Sequence, residues 1–261
     1  MVFRFEIGIR KKMQNVKEKM RISHTRRTSK RSVASGLPCC YDAGRESMQI
    51  FRDRAEAGRL LGEALKRIIT PEHEGLLVLA IPRGGVVTGA AVARVLRAPL
   101  DVWMSRKIGA PGNPELAVGA VSSHGECFLD SRIITTLRVS QDYVEATAQR
   151  EREELERRMV FFRGSAVPTP VEGRTVVLVD DGVATGSTVF GALEALRRGG
   201  AARRILAVPV APLETIPTLE QAADEVVVVN RATDFYAVGQ FYEDFSEVSD
   251  GEVVKILGEF S

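Results

Sequence analysis

The sequence predicts an α/β protein built on a mostly parallel, twisted sheet flanked by helices. Two observations carry that prediction. From residue 48 onward, short continuous apolar runs alternate with stretches of helical periodicity, and such alternation implies parallel strands covered on both faces. Two of the apolar runs also end in glycine-bearing turns that open a helix, one at Arg83-Gly84-Gly85 and one at Gly182 to Ser187. Ligands of parallel sheets sit at the carboxyl ends of strands, where both turns fall.

The elements follow in order. FRDRAEAGRLLGEALKRII places Phe51, Ala55, Leu60, Leu61, Ala64, Leu65 and Ile68 near helical spacing, and Thr70-Pro71 ends the pattern. LLVLAIP reads as a buried strand, followed by the glycine turn and the helical segment VVTGAAVARVL. LDVWMS is the second strand, and RKIGAPGNPEL is a loop whose glycines and prolines keep it from settling into helix or sheet. AVGAVSS and ECFLD flank His124-Gly125 as a β-hairpin, and residues 139–162 form a long charged helix. The rhythm then resumes: RTVVLVDD a strand, GSTVFGALEALRR a helix, RRILAVPVA a strand, LETIPTLEQAA a helix and DEVVVVN a strand.

The chain has 261 residues and a formal net charge of +2, room for one α/β domain and an appendage. The basic excess is concentrated in residues 1–46, and the remainder is slightly acidic. The expected division is therefore a basic, disordered extension over 1–46 and a catalytic domain over 47–261. The stretch from Arg10 to Arg31 is rich in Lys, Arg, Ser and Thr and has few large apolar side chains to bury. Three readings fit it: a nucleic-acid-binding arm, an organellar transit segment, or an extension upstream of a true start at Met48. The third is favoured, because Met48 opens the regular pattern. Cys39, Cys40 and Cys127 offer neither a disulfide framework nor zinc-ligand spacing. With no apolar run approaching the roughly 18 residues of a membrane span, a soluble cytoplasmic protein with no membrane partner is expected.

The chemistry concentrates in VVLVDDGVATGSTV, Val176 to Val189. A buried strand delivers two adjacent carboxylates, Asp180 and Asp181. Gly182 and Val183 follow, and Ala184-Thr185-Gly186-Ser187-Thr188 then enters a helix. Amides at such a turn cradle phosphate, aided by the helix dipole and the hydroxyls of Thr185, Ser187 and Thr188. Gly186 lets the backbone approach closely. The paired carboxylates are badly placed for phosphate but well placed to hold ribose hydroxyls and, through those hydroxyls or water, Mg2+. The segment asks for a sugar phosphate. Neither GxxxxGK[ST] nor GxGxxG occurs in either turn, which argues against a nucleotide γ-phosphate loop and a dinucleotide fold. Asp and Ser/Thr also occur at such turns simply as caps, but the ordered whole is more specific than its parts.

Val176 to Val189 resembles the signature of the type I phosphoribosyltransferases. IPRGG, RKIGAPGNPELAVGAV and DFYAVGQFYEDF are similar to a stand-alone bacterial group of that family whose acceptor is generally unassigned. The resemblance runs from about Met48 to the C-terminus. It implies a type I phosphoribosyltransferase fold with a small hood region and C-terminal hood elements, and a homodimer, which members commonly form. It also implies transfer of phosphoribosyl from 5-phosphoribosyl 1-diphosphate to a small nitrogenous acceptor such as a nucleobase, with release of pyrophosphate. On the same basis Asp180 and Asp181 would hold the ribose, and Ala184 to Thr188 the 5-phosphate. Arg83-Gly84-Gly85 would match the pyrophosphate loop, with a non-proline cis peptide expected between Arg83 and Gly84. Arg106 and Lys107 would neutralise the departing pyrophosphate, and a flexible loop from Gly109 to Ala117 would close over the site.

Ala184 stands where 6-oxopurine members carry an aspartate, which weakens a hypoxanthine-guanine assignment. Phe235 and Tyr236, with Phe241 and Tyr242 soon after, offer aromatic faces for a base, with packing of the hood as the competing reading. A non-catalytic regulator that senses the same diphosphate is the alternative function. In that case the basic tail would suit contact with nucleic acid. Retained Arg83, Arg106, Lys107 and the long loop favour the enzyme.

Overall fold

The computed structural model describes residues 49–70 and 75–260. The basic segment 1–46, every role suggested for it, and the start proposed at Met48 lie outside the described residues. The first element among the described residues, α1 (Arg54–Leu65), is capped by Asp53, whose side chain accepts from the Glu56 amide. Its buried face runs through Arg54, Ala57, Gly58, Leu61 and Leu65. The expected face is thus rotated: Ala55 is exposed, and Phe51 is buried ahead of the helix in a bridge to Tyr242. Gly58 and Gly62 set the crossing with the next helix, since added Cβ atoms would lie 2.4 Å from the Thr88 carbonyl oxygen and 2.7 Å from Val95 Cβ.

Five strands build the main sheet: β1 (Leu77–Ala80), β2 (Leu100–Val102), β6 (Thr175–Val179), β7 (Arg203–Pro212) and β8 (Glu225–Ala232), in the order β2-β1-β6-β7-β8. All four pairings are parallel. β1 and β6 are buried at every position, as continuous apolar runs require. Alternate side chains enter two cores. Val78, Ala80, Val177 and Val179 join one cluster with residues of α1 and of α2 (Gly84–Leu96). Leu77, Leu79, Val176 and Leu178 join another, with α5 (Ser187–Arg198) and α6 (Ile216–Ala222). Strand order reverses between β1 and β6, so the switch point lies between those two carboxyl ends.

The expected second strand divides. Leu100–Val102 joins the main sheet, whereas Ser105 begins β3 (Ser105–Ala110) of a separate antiparallel sheet with β4 (Asn113–Ser122) and β5 (Cys127–Leu129). The hairpin around His124-Gly125 is present as β4 and β5. The loop expected over Gly109 to Ala117 is instead the tip of the β3–β4 hairpin. Its glycine and proline are absorbed by register shifts at Gly109, where an added Cβ would lie 2.8 Å from Pro114 Cα. α3 (Ser131–Leu137), started by an Asp130 cap, adds a helix the periodicity did not mark.

The long charged helix is α4 (Gln141–Arg163), bounded by Ser140 and by Gly164 at φ 71°. After β8, a 3-10 turn (Val238–Phe241) and α7 (Asp250–Gly258) complete the chain. Phe51 and Arg52 hydrogen-bond to Phe241, Glu243 and Asp244, tying the start of α1 to the C-terminal region. No helix among the described residues is long and apolar enough to cross a membrane.

Candidate active site

β1 and β6 deliver the two sequence motifs to one place. Ile81 continues the ladder by donating to the Val179 carbonyl at 2.9 Å. Gly84 and Gly85, at the start of α2, then run directly against Asp180 and Asp181 at the end of β6. A Cβ on Gly84 would lie 1.9 Å from Asp181 Oδ2, and one on Gly85 would lie 3.0 Å from Asp180 Oδ1. Only glycine permits this approach. The non-proline cis peptide joins Pro82 to Arg83, one residue before the expected position. Gly84 already belongs to α2, with Arg83 in αR conformation as its N-cap, so the Arg83–Gly84 peptide is committed to the helical turn.

The carboxylate pair is held by partners far away in sequence. Arg54 Nε donates to Asp181 Oδ2 at 2.7 Å, and the two side chains are 10% and 16% exposed. The same guanidinium donates to the Ser246 carbonyl at 2.8 Å and lies over the Phe245 ring at 3.8 Å. The Tyr242 hydroxyl donates to the Asp181 carbonyl at 2.6 Å, and burial pushes its phenol well above the ordinary range. Asp180 Oδ1 accepts the Asp181 amide at 2.8 Å. Burial, and then the adjacent Asp181 charge, raise the Asp180 carboxyl well above the usual carboxylate range. A cation or a pair of hydroxyl donors at this position would relieve that charge.

Beyond the carboxylates the chain enters α5 through Gly186 at φ 77°, a value that favours glycine. Gly182 is packed so closely that a Cβ would lie 2.4 Å from Val238 Cγ1. Val183 is buried and donates to the Val210 carbonyl, while Thr215 Oγ1 donates to the Ala184 carbonyl at 3.1 Å and fixes the turn. Ala184, Thr185, Ser187 and Thr188 are exposed. Asp or Ser side chains cap α1, α3, α4 and α7; the short α6 has no side-chain cap, and neither do the two helices that open beside the carboxylates, α2 and α5. The first amides of those two helices, which lack intrahelical acceptors, are therefore left for an anion.

A cleft of about 710 Å3 adjoins the turn, lined among others by Arg83, Trp103, Arg106, Arg158, Thr188 and Asp250. Arg83 and Arg106 thus share it with the phosphate turn. Lys107 does not line it. Neighbours on a strand point to opposite faces, and Lys107 Nζ pairs at 2.7 Å with Glu115 on the exposed side of the β3–β4 arm. Phe235 and Tyr236 are not among its lining residues either. Phe235 stacks on Phe241 at 5.7 Å within the C-terminal core, and Tyr236 is 91% exposed. The described residues hold no group of three or more His, Cys, Asp or Glu that could cage a metal ion.

Sequence reasoning missed Arg54, Arg158 and Asp250, and it read Tyr242 as an aromatic face for a base where the structure has its hydroxyl on the Asp181 carbonyl. Arg54 left a signal: it occupies the same helical stripe as Gly58, Leu61 and Leu65, and an arginine on a buried stripe requires a partner. Nothing local marks Arg158, Asp250 or the hydroxyl contact of Tyr242, because their roles depend on which elements pack beside β1 and β6.

A glycine turn thus abuts paired carboxylates, beside a helix without a side-chain cap, at the switch point of a parallel α/β sheet. The phosphoribosyl transferase domain model matches residues 52–246, and the chain belongs to that family, with the type I phosphoribosyltransferase fold. It is 39% identical over 210 residues to a Mycobacterium tuberculosis protein provisionally named a phosphoribosyl transferase, in strains CDC 1551 and H37Rv. That match covers 80% of this chain and 47% of the relative, so the chain spans about half the length of the curated relatives it matches. The crystal structure of TT1426 from Thermus thermophilus superposes with a TM-score of 0.71 at 45% identity, covering 82% of this chain and all of that one.

Proposed function

We propose that this chain transfers the phosphoribosyl group of 5-phosphoribosyl 1-diphosphate to a small nitrogenous acceptor and releases pyrophosphate. The observation that carries this reading is the contact of Gly84 and Gly85 with Asp180 and Asp181. In support, the carboxylate pair lies between the N-termini of α2 and α5, neither with a side-chain cap, which the reading assigns one to each phosphate end of the substrate. In this reading Ala184 to Thr188 hold the 5-phosphate, and Gly182 and Val183 set the turn. Asp180 and Asp181 accept from the ribose hydroxyls. The amides of Gly84 and Gly85, with the guanidiniums of Arg83 and Arg106, receive the diphosphate. Catalysis comes from positioning and from fixed positive charge aimed at the leaving group.

The donor set fits Mg2+. Asp180 and Asp181 supply hard oxygens, and without a third protein ligand the ion would complete its shell from water and substrate, as it commonly does. When bound with the diphosphate, Mg2+ supplies charge neutralisation on the departing pyrophosphate. Arg54 keeps Asp181 oriented, and Tyr242 fixes the backbone beneath it. Lys107, on the exposed face of the arm, reaches the leaving group only if the β3–β4 arm folds inward. Phe235 and Tyr236 would meet an acceptor only at the outer rim of the C-terminal region.

The test is pyrophosphate release from 5-phosphoribosyl 1-diphosphate with Mg2+, across purine bases, pyrimidine bases and simple amines, with Asp180→Asn/Asp181→Asn as the blank. Release with one acceptor identifies the reaction and its substrate together. Binding of the diphosphate without release for any acceptor would favour the regulator over the transferase.

A further inference from the structure

We propose that Arg158, on helix α4 and outside the sequence motifs, is a third guanidinium that grips the diphosphate in the cleft. This inference rests on the phosphoribosyltransferase reading and assigns it a further binding residue. The helix carrying Arg158 reads from sequence as a solvated charged rod, yet one of its faces bears Glu151, Leu155 and Arg158 at i, i+4 and i+7. Leu155 is buried at 3% exposure and lines the cleft. Glu151 pairs with Arg106 Nε. Arg158 enters the cleft beside them and also lies over the Phe162 ring at 5.4 Å, which limits where its stem can go.

Three guanidiniums, those of Arg83, Arg106 and Arg158, therefore half-face one cleft, with side chains 42%, 39% and 41% exposed. Each is opposed by a carboxylate. Glu247 accepts from Arg83 Nη2 at 2.5 Å but is 78% exposed, so water competes for it and the pair is weak. Asp250 stands between Arg83 and Arg158: its Oδ1 is 3.9 Å from Arg83 Nη1 and its Oδ2 is 3.7 Å from Arg158 Nη2. Both separations exceed hydrogen-bond length, and Oδ1 is buried and receives no hydrogen bond. Asp250 is the first residue of α7.

The carboxylate thus draws Arg83 and Arg158 together without consuming their donors. Guanidiniums offer five N–H groups in a fork matched to phosphate oxygens. A pyrophosphate, carrying several negative charges, outcompetes single carboxylates for such a cluster, and Thr188 at the cleft wall joins it to the 5-phosphate turn.

The experiment titrates the full-length chain with inorganic pyrophosphate plus Mg2+, and separately with ribose 5-phosphate, by calorimetry, for wild type, Arg158→Gln and Arg158→Lys. The expected result is pyrophosphate binding roughly tenfold to a hundredfold weaker in Arg158→Gln, the range spanned by a hydrogen bond to a charged group. Ribose 5-phosphate affinity and the urea midpoint stay unchanged, and Arg158→Lys recovers part of the loss. Unchanged pyrophosphate affinity in Arg158→Gln overturns the inference while leaving the phosphoribosyltransferase reading intact, and so does an equal loss for both ligands accompanied by a lower urea midpoint. If wild type binds neither ligand, the reading itself fails and this inference goes with it.

Discussion

The Arg54 guanidinium, on the first helix, lies 2.7 Å from the Asp181 carboxylate at the end of β6, and both side chains are largely buried. Removing one partner leaves a buried charge unpaired. Arg54→Met is therefore expected to cost about 3–5 kcal/mol of stability, measured by urea denaturation. Combining it with Asp181→Asn should cost less than the sum of the two single changes, because the second change removes the stranded charge. Additive losses would mean that the two groups act independently.

Gly84→Ala tests the close approach between the motifs. Its Cβ would lie 1.9 Å from Asp181 Oδ2 and 2.8 Å from Arg54 Nε, so the carboxylate must shift. A stability loss of about 1–3 kcal/mol is expected, with loss of 5-phosphoribosyl 1-diphosphate binding by calorimetry. Gly191→Ala, on α5, is the matched control: its Cβ meets nothing within 4 Å, and both stability and binding should be kept or slightly improved.

His124 sets part of the acid limit of stability. It stacks on Trp103 at 4.7 Å, and burial lowers its imidazole from 6.5 to about 4. The unfolded chain binds this proton more readily than the folded one, so the neutral side chain's full contribution is present above pH 6.5. It falls away as pH drops through the window from 6.5 to about 4. A shift of that size corresponds to on the order of 3 kcal/mol. His124→Phe keeps a stacking ring without the titration, and urea midpoints measured across that window should fall less steeply for the variant than for wild type.

Much of the site is legible in sequence because its chemistry is local. Asp180, Asp181 and the turn from Ala184 to Thr188 are contiguous, and the apolar runs of β1 and β6 place them at a switch point. What escaped depends on packing between distant elements. The partner of Asp181 is a residue of α1, read from sequence as one more charge on an amphipathic helix. Arg158 is one of many charges on α4, and only tertiary packing selects its face. Lys107 and Arg106 look equivalent as neighbours, yet strand alternation sends Arg106 to the cleft and Lys107 to the outer face of the arm. The Gly- and Pro-rich tip beyond Gly109 reads as loop because propensity penalises both residues in strands, a penalty that register shifts in an exposed hairpin accommodate.

The central claim is that Asp180 and Asp181 form the ribose-holding half of a 5-phosphoribosyl 1-diphosphate site. The most direct measurement is calorimetric titration of that diphosphate into wild type and Asp180→Asn/Asp181→Asn, each with Mg2+ and with EDTA. The account predicts binding by wild type that strengthens with Mg2+, and a double variant that keeps its fold but loses both the affinity and the response to Mg2+. Equal, Mg2+-dependent binding by both proteins would contradict it.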